Sequence, residues 1–314
     1  MTKSPTRNRK QPKLLTSTGM VIAIALISVV LIGLLYMSSR PSGSGGTVQF
    51  RDIHGLGFSS DGSQLSVPAH DGLRIFMDGQ WQVPNLPVND YMGYSPTDNG
   101  FYSSGHPGPG SGLINPLGLV TSADGGQTIN TLAFAGETDF HIMGVGYESH
   151  TVYVLNSAPN SQLSTGLYYT SNEGQTWEQS LMQGISTRPF QIAVHPTQAS
   201  VIALATEGGL FLSNDSGNTF TQVSQNAPIS SASFDPNGSR LIFGYQRLNL
   251  YNLDNGEINA LQTPTITGDD AIGFIAVSPV SDEIAFATYN KDIYLSADNG
   301  LSWAQIAQQG IGES

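Results

Sequence analysis

Asp52-Ile53-His54 and Asp139-Phe140-His141 each set a carboxylate two residues from an imidazole, and Asp90-Tyr91-Met92 repeats the spacing with a thioether. Two residues is the period of a β-strand, so in extended chain both members of each pair fall on one side. His70-Asp71 and His106 lie in turn-like stretches, Pro68-Ala69-His70-Asp71-Gly72 and Ser103-Ser104-Gly105-His106-Pro107-Gly108. Imidazoles with carboxylates suit three tasks: tying down loops by bonding one another, contacting a small molecule or peptide, or coordinating zinc, manganese or iron. The metal reading centres on His54, His106 and His141. No local motif such as His-Glu-x-x-His gathers two of them, so coordination depends wholly on the fold. A pair of acids drawn from Asp52, Asp71, Asp90, Glu137 and Asp139 could instead act as a glycosidase couple, one protonated and one ionised.

The elements that must position these residues are written in a repeat. Ser122-Ala-Asp124-Gly-Gly126-Gln-Thr128-Ile129, Thr170-Ser-Asn172-Glu-Gly174-Gln-Thr176-Trp177, Ser213-Asn-Asp215-Ser-Gly217-Asn-Thr219-Phe220 and Ser296-Ala-Asp298-Asn-Gly300-Leu-Ser302-Trp303 share one pattern. Each has the chemistry of a tight hairpin, in which Asp124, Asn172, Asp215 or Asp298 caps backbone N–H groups and the glycine supplies positive φ. Their starts are 48, 43 and 83 residues apart, the last step being a double one. A period in the forties, built of four short strands, is the signature of a β-propeller. Variant turns at Asp78-Gly79 and Asp254-Asn255-Gly256 complete six units. The fold class expected is all-β, a six-bladed propeller of four-stranded antiparallel blades.

Propeller topology gathers the start of each first strand and the loop after each second strand on one face. In that register Asp52, Asp90 and Asp139 line up, His70-Asp71 and His106 join them, and Arg188 falls where Asp52 does, with Phe190 matching His54. Glu207, Tyr245 and Tyr289-Asn290-Lys291 occupy second-strand ends in the later blades. The expected ligand-binding mouth thus comprises His54, His70, Asp71, Tyr91, His106, Asp139, His141 and Arg188. One half is rich in Asp and His, the other aromatic, as suits a pocket for one ligand. His150 and His195 sit in turn sequences and are expected to be structural.

Outside the repeats, Lys3, Arg7, Arg9, Lys10 and Lys13 precede an apolar run from Gly19 to Met37. That length crosses a bilayer as a helix, and basic residues remain on the cytoplasmic side. The absence of a small-x-small cleavage site after Tyr36 favours an uncleaved signal anchor. The organisation expected is a cytoplasmic tail over 1–18, a transmembrane anchor over 19–37, a flexible linker over 38–49 and an extracytoplasmic propeller over 50–314. All 24 acidic residues follow position 50, and six of the 12 basic ones lie at or before Arg40, which leaves the exported part near −18. Such a charge repels nucleic acid and anionic headgroups. With no cysteine in 314 residues, disulfides, thiolate metal sites and cysteine nucleophiles are excluded.

The Ser-x-Asp-x-Gly-x-Thr-Trp pattern resembles the Asp-box, or bacterial neuraminidase repeat, of sialidases, sortilin-type ectodomains and propeller assembly factors of photosynthesis. The resemblance runs from about residue 122 to 303, and in those families the box is a fold element remote from any active site. The exported part is also similar to bacterial repeat proteins labelled glycosyl hydrolases. Sialidase chemistry would need an arginine triad, and the resemblance fails there: Arg74 falls inside a strand, Arg240 on the opposite face, and no Arg-Ile-Pro occurs in the first blade. The reading that follows is a membrane-anchored, non-catalytic binding module for a protein, peptide or glycan, with no cofactor and no nucleic-acid partner. A glycoside hydrolase and a metal-binding propeller are the alternatives.

Overall fold

A computed structural model describes residues 46–224 and 226–314. The expected tail and anchor, and the linker up to residue 45, lie outside the described residues. Among the described residues no helix is long and apolar enough to cross a membrane.

The described residues form six antiparallel sheets. The first blade contains Gly57–Phe58, Leu65–Ala69, Gly72–Met77 and Gln80–Gln82, and the second Asp90–Thr97, Gly100–His106, Leu119–Ser122 and Asn130–Ala133. The third contains Met143–Val145, Val152–Asn156, Gly166–Thr170 and Glu178–Ser180, and the fourth Pro189–Val194, Ile202–Thr206, Gly209–Ser213 and Thr221–Gln222. Ser231–Phe234, Arg240–Gly244, Leu248–Asn252 and Ile258–Ala260 form the fifth; the sixth is built on Ile272–Val277, Ile284–Thr288, Ile293–Ser296 and Ala304–Gln308. First strands neighbour one another in order, and Gly57–Phe58 packs against Ile272–Val277 to close the ring. This is the six-bladed propeller that the repeat period implies.

Burial follows radial position. Ile202–Thr206 and Ile284–Thr288, second strands held between neighbouring blades, are buried at every residue, so they read as continuous apolar runs. The outer strands Thr221–Gln222 and Ile258–Ala260 are exposed throughout and carry no apolar alternation. Blade one departs from regularity. Its first strand shrinks to Gly57–Phe58, preceded by a lone bridge between Ile53 and Ala69. A Cβ on Gly57 would lie 2.6 Å from the Pro96 ring, so the two blades meet there at backbone distance.

Both ends of the described region join the sixth sheet. Ile311–Glu313 continues it beyond Ala304–Gln308, and Thr47–Gln49 adds on antiparallel, with Thr47 opposite Glu313 and Gln49 opposite Ile311. The folded part therefore begins before residue 50, three residues inside the stretch expected as linker. Trp81 of blade one locks this seam. It is 1% exposed, packs against Phe50 and Phe76, and donates from Nε1 to the Ile306 carbonyl at 2.6 Å. Gly312 is required beneath it, since a Cβ there would fall 2.2 Å from the indole.

The four hairpins share one hydrogen-bond pattern. Ser122 Oγ donates to Asp124 Oδ1 at 2.9 Å and accepts from Gly126 N at 2.9 Å, while Thr128 N donates to Asp124 Oδ1 at 2.8 Å. The same three bonds recur around Asn172, Asp215 and Asp298, with distances of 2.8–3.0 Å. Each glycine takes positive φ, from 80° at Gly217 to 98° at Gly126. The residue before it does too, at Gly125, Glu173, Ser216 and Asn299, a second left-handed position. Trp177, Phe220 and Trp303 then run from the turns into the apolar clusters between blades.

Candidate functional site

Three strand starts place the chemistry. His54 N donates to the Pro68 carbonyl at 2.9 Å and His70 N to the Asp52 carbonyl at 3.0 Å, which fixes both blade-one histidines beside each other. Their rings meet edge-on, centroids 6.2 Å apart. Asp90, opposite His106 in the second blade's ladder, reaches back to both of them. Its Oδ1 lies 3.3 Å from His54 Nε2 and its Oδ2 lies 2.7 Å from His70 Nδ1.

A parallel cluster spans the next pair of blades. Asp139 Oδ2 is 3.2 Å from His106 Nε2 and 2.7 Å from His141 Nε2, while His106 Nδ1 lies 2.7 Å from Asn115 Oδ1. The segment carrying Asp139 is tied down by Phe140 N, which donates to Ser104 Oγ of the second blade at 2.8 Å. The first three blades therefore converge as the strand register anticipates: His54, His70, His106 and His141 belong to one rim, two on each aspartate. His54 also feels the charge of His141, which links the two clusters.

Other expected site residues have different employment. Tyr91 is 1% exposed; its ring packs edge-on against Phe101 and its hydroxyl accepts from Asn89 Nδ2 at 3.0 Å. Strand alternation sends it into the core side while Asp90 faces the rim, so it offers no ligand surface. Asp71 pairs with buried Arg74, Oδ2 to Nη2 at 2.8 Å, and Arg74 Nε donates on to the Gln49 carbonyl. That pair binds the N-terminal strand to blade one. Glu137 clamps a loop, accepting from Ser161 N at 2.8 Å and Ser161 Oγ at 3.0 Å. His106 and His141 converge on Asp139, so the trio His54, His106 and His141 does not share one coordination sphere. The described group whose donor atoms do come together, within 4.8 Å, is His54, His70 and Asp90.

Across the ring the rim changes character. Arg188 and Glu207 are exposed, with Glu207 N bonded to the Arg188 carbonyl at 3.0 Å. Tyr245 and Tyr289 are 37% and 55% exposed, and burial followed by the field of Tyr245 raises the Tyr289 hydroxyl above its ordinary value. Asp270, which site reasoning overlooked, accepts at Oδ1 from Ala271 N and Asn290 N and so shapes the Tyr289 loop. Its signal was available: it precedes a first strand by two residues.

Electrostatically, burial holds the His54 imidazole below its ordinary value, against the opposing fields of Asp90 and Asp52. A neutral imidazole keeps a lone pair on one ring nitrogen, available to a ligand. The central channel beneath is different. Its cavity of about 130 Å³ is lined by first-strand residues such as Phe58, Met143, Ile192 and Phe274 and by turn prolines, and none of the rim histidines contributes. The imidazole–carboxylate clusters sit at one end, and a mixed lining that includes Ser95, Gln191 and Ser233 occupies the middle.

Fold and rim together define a six-bladed propeller with an asymmetric polar mouth. The chain matches no protein-family model and no curated protein. Among solved structures it is similar to a GH74 enzyme of Niastella koreensis, with TM-score 0.57 and 16% identity over 84% of this chain and 47% of that one. It is likewise similar to the GH74 xyloglucanase of Xanthomonas campestris, at TM-score 0.51 and 13% identity over 83% of this chain and 46% of that chain. An ancestral GH74 enzyme gives TM-score 0.50 and 11% identity, covering 83% and 39%. The chain thus spans less than half the length of these structures, and at such identity the likeness is one of fold.

Proposed function

We propose that this chain is a binding module of the Asp-box propeller type, held outside the cytoplasm by the apolar segment 19–37, whose rim takes a peptide or glycan ligand. The four hydroxyl-Asp/Asn-Gly turns support the family reading, and the basic tail with its apolar run supports the anchor. The observation that carries the binding reading is how the rim acids are used. Asp90 and Asp139 are each bracketed by two imidazoles, Asp71 by Arg74, and Glu137 and Asp270 by backbone donors. Of the rim acids named here that leaves Asp52 and Glu207, on the first and fourth blades, which face each other across a ring of six. A glycosidase needs its two carboxyls about 5–10 Å apart astride one bond.

Ligand contact falls to the exposed Tyr245 and Tyr289, whose flat faces suit a sugar ring or an aromatic side chain, with Arg188 and the imidazoles supplying polar contacts. A screen of the full chain in mild detergent against β-glucans, including xyloglucan, and against peptides tests this. Binding lost in Tyr289→Ala without turnover is the expected result. Hydrolysis abolished by Asp52→Asn or Glu207→Gln would establish an enzyme instead. Protease protection of residues 1–18 in sealed membranes tests the orientation.

A further inference from the structure

We infer that His54, His70 and Asp90 form a binding site for one divalent first-row transition ion, zinc being the fittest. The inference is independent of which organic ligand the rim takes.

Three observations converge on it. The donors are two imidazole nitrogens and a carboxylate, mutually within 4.8 Å. Two imidazoles with one carboxylate match the borderline ions, while calcium and magnesium prefer all-oxygen shells. Ligands about 2.05 Å from a tetrahedral ion stand about 3.3 Å apart; His54 Nε2 is 3.3 Å from Asp90 Oδ1, and His70 Nδ1, 2.7 Å from Asp90 Oδ2, belongs to an exposed ring that has room to draw back.

The second observation concerns unmet valence. The Asp90 side chain is 8% exposed, and both of its oxygens, together with His54 Nε2, are buried without a hydrogen-bond partner. The short His–Asp contacts therefore bring the oxygens close but off the N–H directions of the rings. His150 and Asp98 show the contrast, since there a ring nitrogen and a carboxylate oxygen do make a hydrogen bond, at 2.5 Å. Off-axis oxygens leave the nitrogen lone-pair directions clear, which is what a shared ion requires. A buried carboxylate with neither oxygen capped costs free energy unless something satisfies it.

Third, the frame is rigid and open. His54 and His70 hang from paired backbone. Asp90 begins a strand that is bulged between Met92 and Ser95, a device that re-aims side chains. His70 is 60% exposed, so solvent or a ligand atom reaches the fourth position, as in zinc sites that keep one place open.

The test uses the full chain, stripped with EDTA and titrated with Zn²⁺ by calorimetry and with Co²⁺ by visible absorption. One ion per chain and tetrahedral Co²⁺ bands between about 500 and 700 nm are expected. His70→Ala, at an exposed position that leaves folding intact, should weaken binding by roughly 100-fold, and Asp90→Asn by a similar factor. His106→Ala, in the neighbouring cluster, should leave affinity unchanged. Absence of binding in the folded wild type, equal affinity in His70→Ala, or loss of binding in His106→Ala would each overturn the assignment.

Discussion

The two faces of the propeller handle the same side chains in opposite ways. On the face of the hairpins and first-to-second-strand turns, the hairpin carboxylates and Asp61 are capped from within a few residues, while Asp98 reaches His150 of the next blade. Thr128 N, then the side chains of Thr128 and Ser122, hold Asp124 below the usual carboxylate range, and Thr219 N leads the same effect at Asp215. Asp61, capped by Ser59 and Ser63, falls to about 2. Even His195 is satisfied: its Nδ1 accepts from Gln198 N at 3.1 Å and Thr197 N at 3.3 Å. On the rim face Asp90 and Asp139 meet partners from adjacent blades and retain buried uncapped oxygens. Among these carboxylates, local closure marks the hairpins and buried uncapped oxygens mark the rim.

The sharpest way to probe the scaffold face is Gly238→Ala. Gly238 has φ 75°, and a Cβ there would sit 2.1 Å from His195 Nε2, which is buried and held. A loss of about 3 kcal/mol is expected in chemical denaturation, from strain and overpacking together. Next come Ser122→Ala and Ser213→Ala. Each hydroxyl is buried and is the acceptor for a buried glycine N–H. Loss of that acceptor should cost about 1–3 kcal/mol while rim ligand affinity stays unchanged; an affinity loss in the folded variants would erase the division between faces.

A smaller effect of opposite sign is expected at the rim. In chelated protein, Asp90→Asn removes a buried charge whose oxygens lack hydrogen bonds, so stability should rise by about 1 kcal/mol. A fall of that size would show that the aspartate serves the fold. Smallest is the acid response of His195. Burial lowers its affinity for protons, against the Gly238 carbonyl and the field of Asp235. The unfolded chain then binds more protons than the folded one once pH drops below the ordinary imidazole value of about 6.5. The contribution is intact above that value and is lost on acidification, with a slope below the one-proton ceiling of about 1.4 kcal/mol per pH unit. His195→Asn, which keeps the acceptor and cannot titrate, should flatten the stability profile between pH 7 and 5.

Sequence alone determined the repeat, the blade count and the capped turns, because a hairpin closes through bonds between residues at most four or five apart and its chemistry is visible in one short string. Ser122, Asp124, Gly126 and Thr128 make contacts with one another that any copy of the pattern makes. It also placed the four rim histidines on one face, since strand register converts spacing into direction. Which histidine meets which aspartate was decided only in three dimensions. Asp90 takes both of its imidazoles from the preceding blade, and Tyr91, its neighbour in sequence, turns into the core. The seam was hidden too, because Thr47–Gln49 becomes a strand only when Ile311–Glu313 is brought beside it. Contacts of that kind join segments that share no local pattern, so their partners are set by the radial packing of the blades.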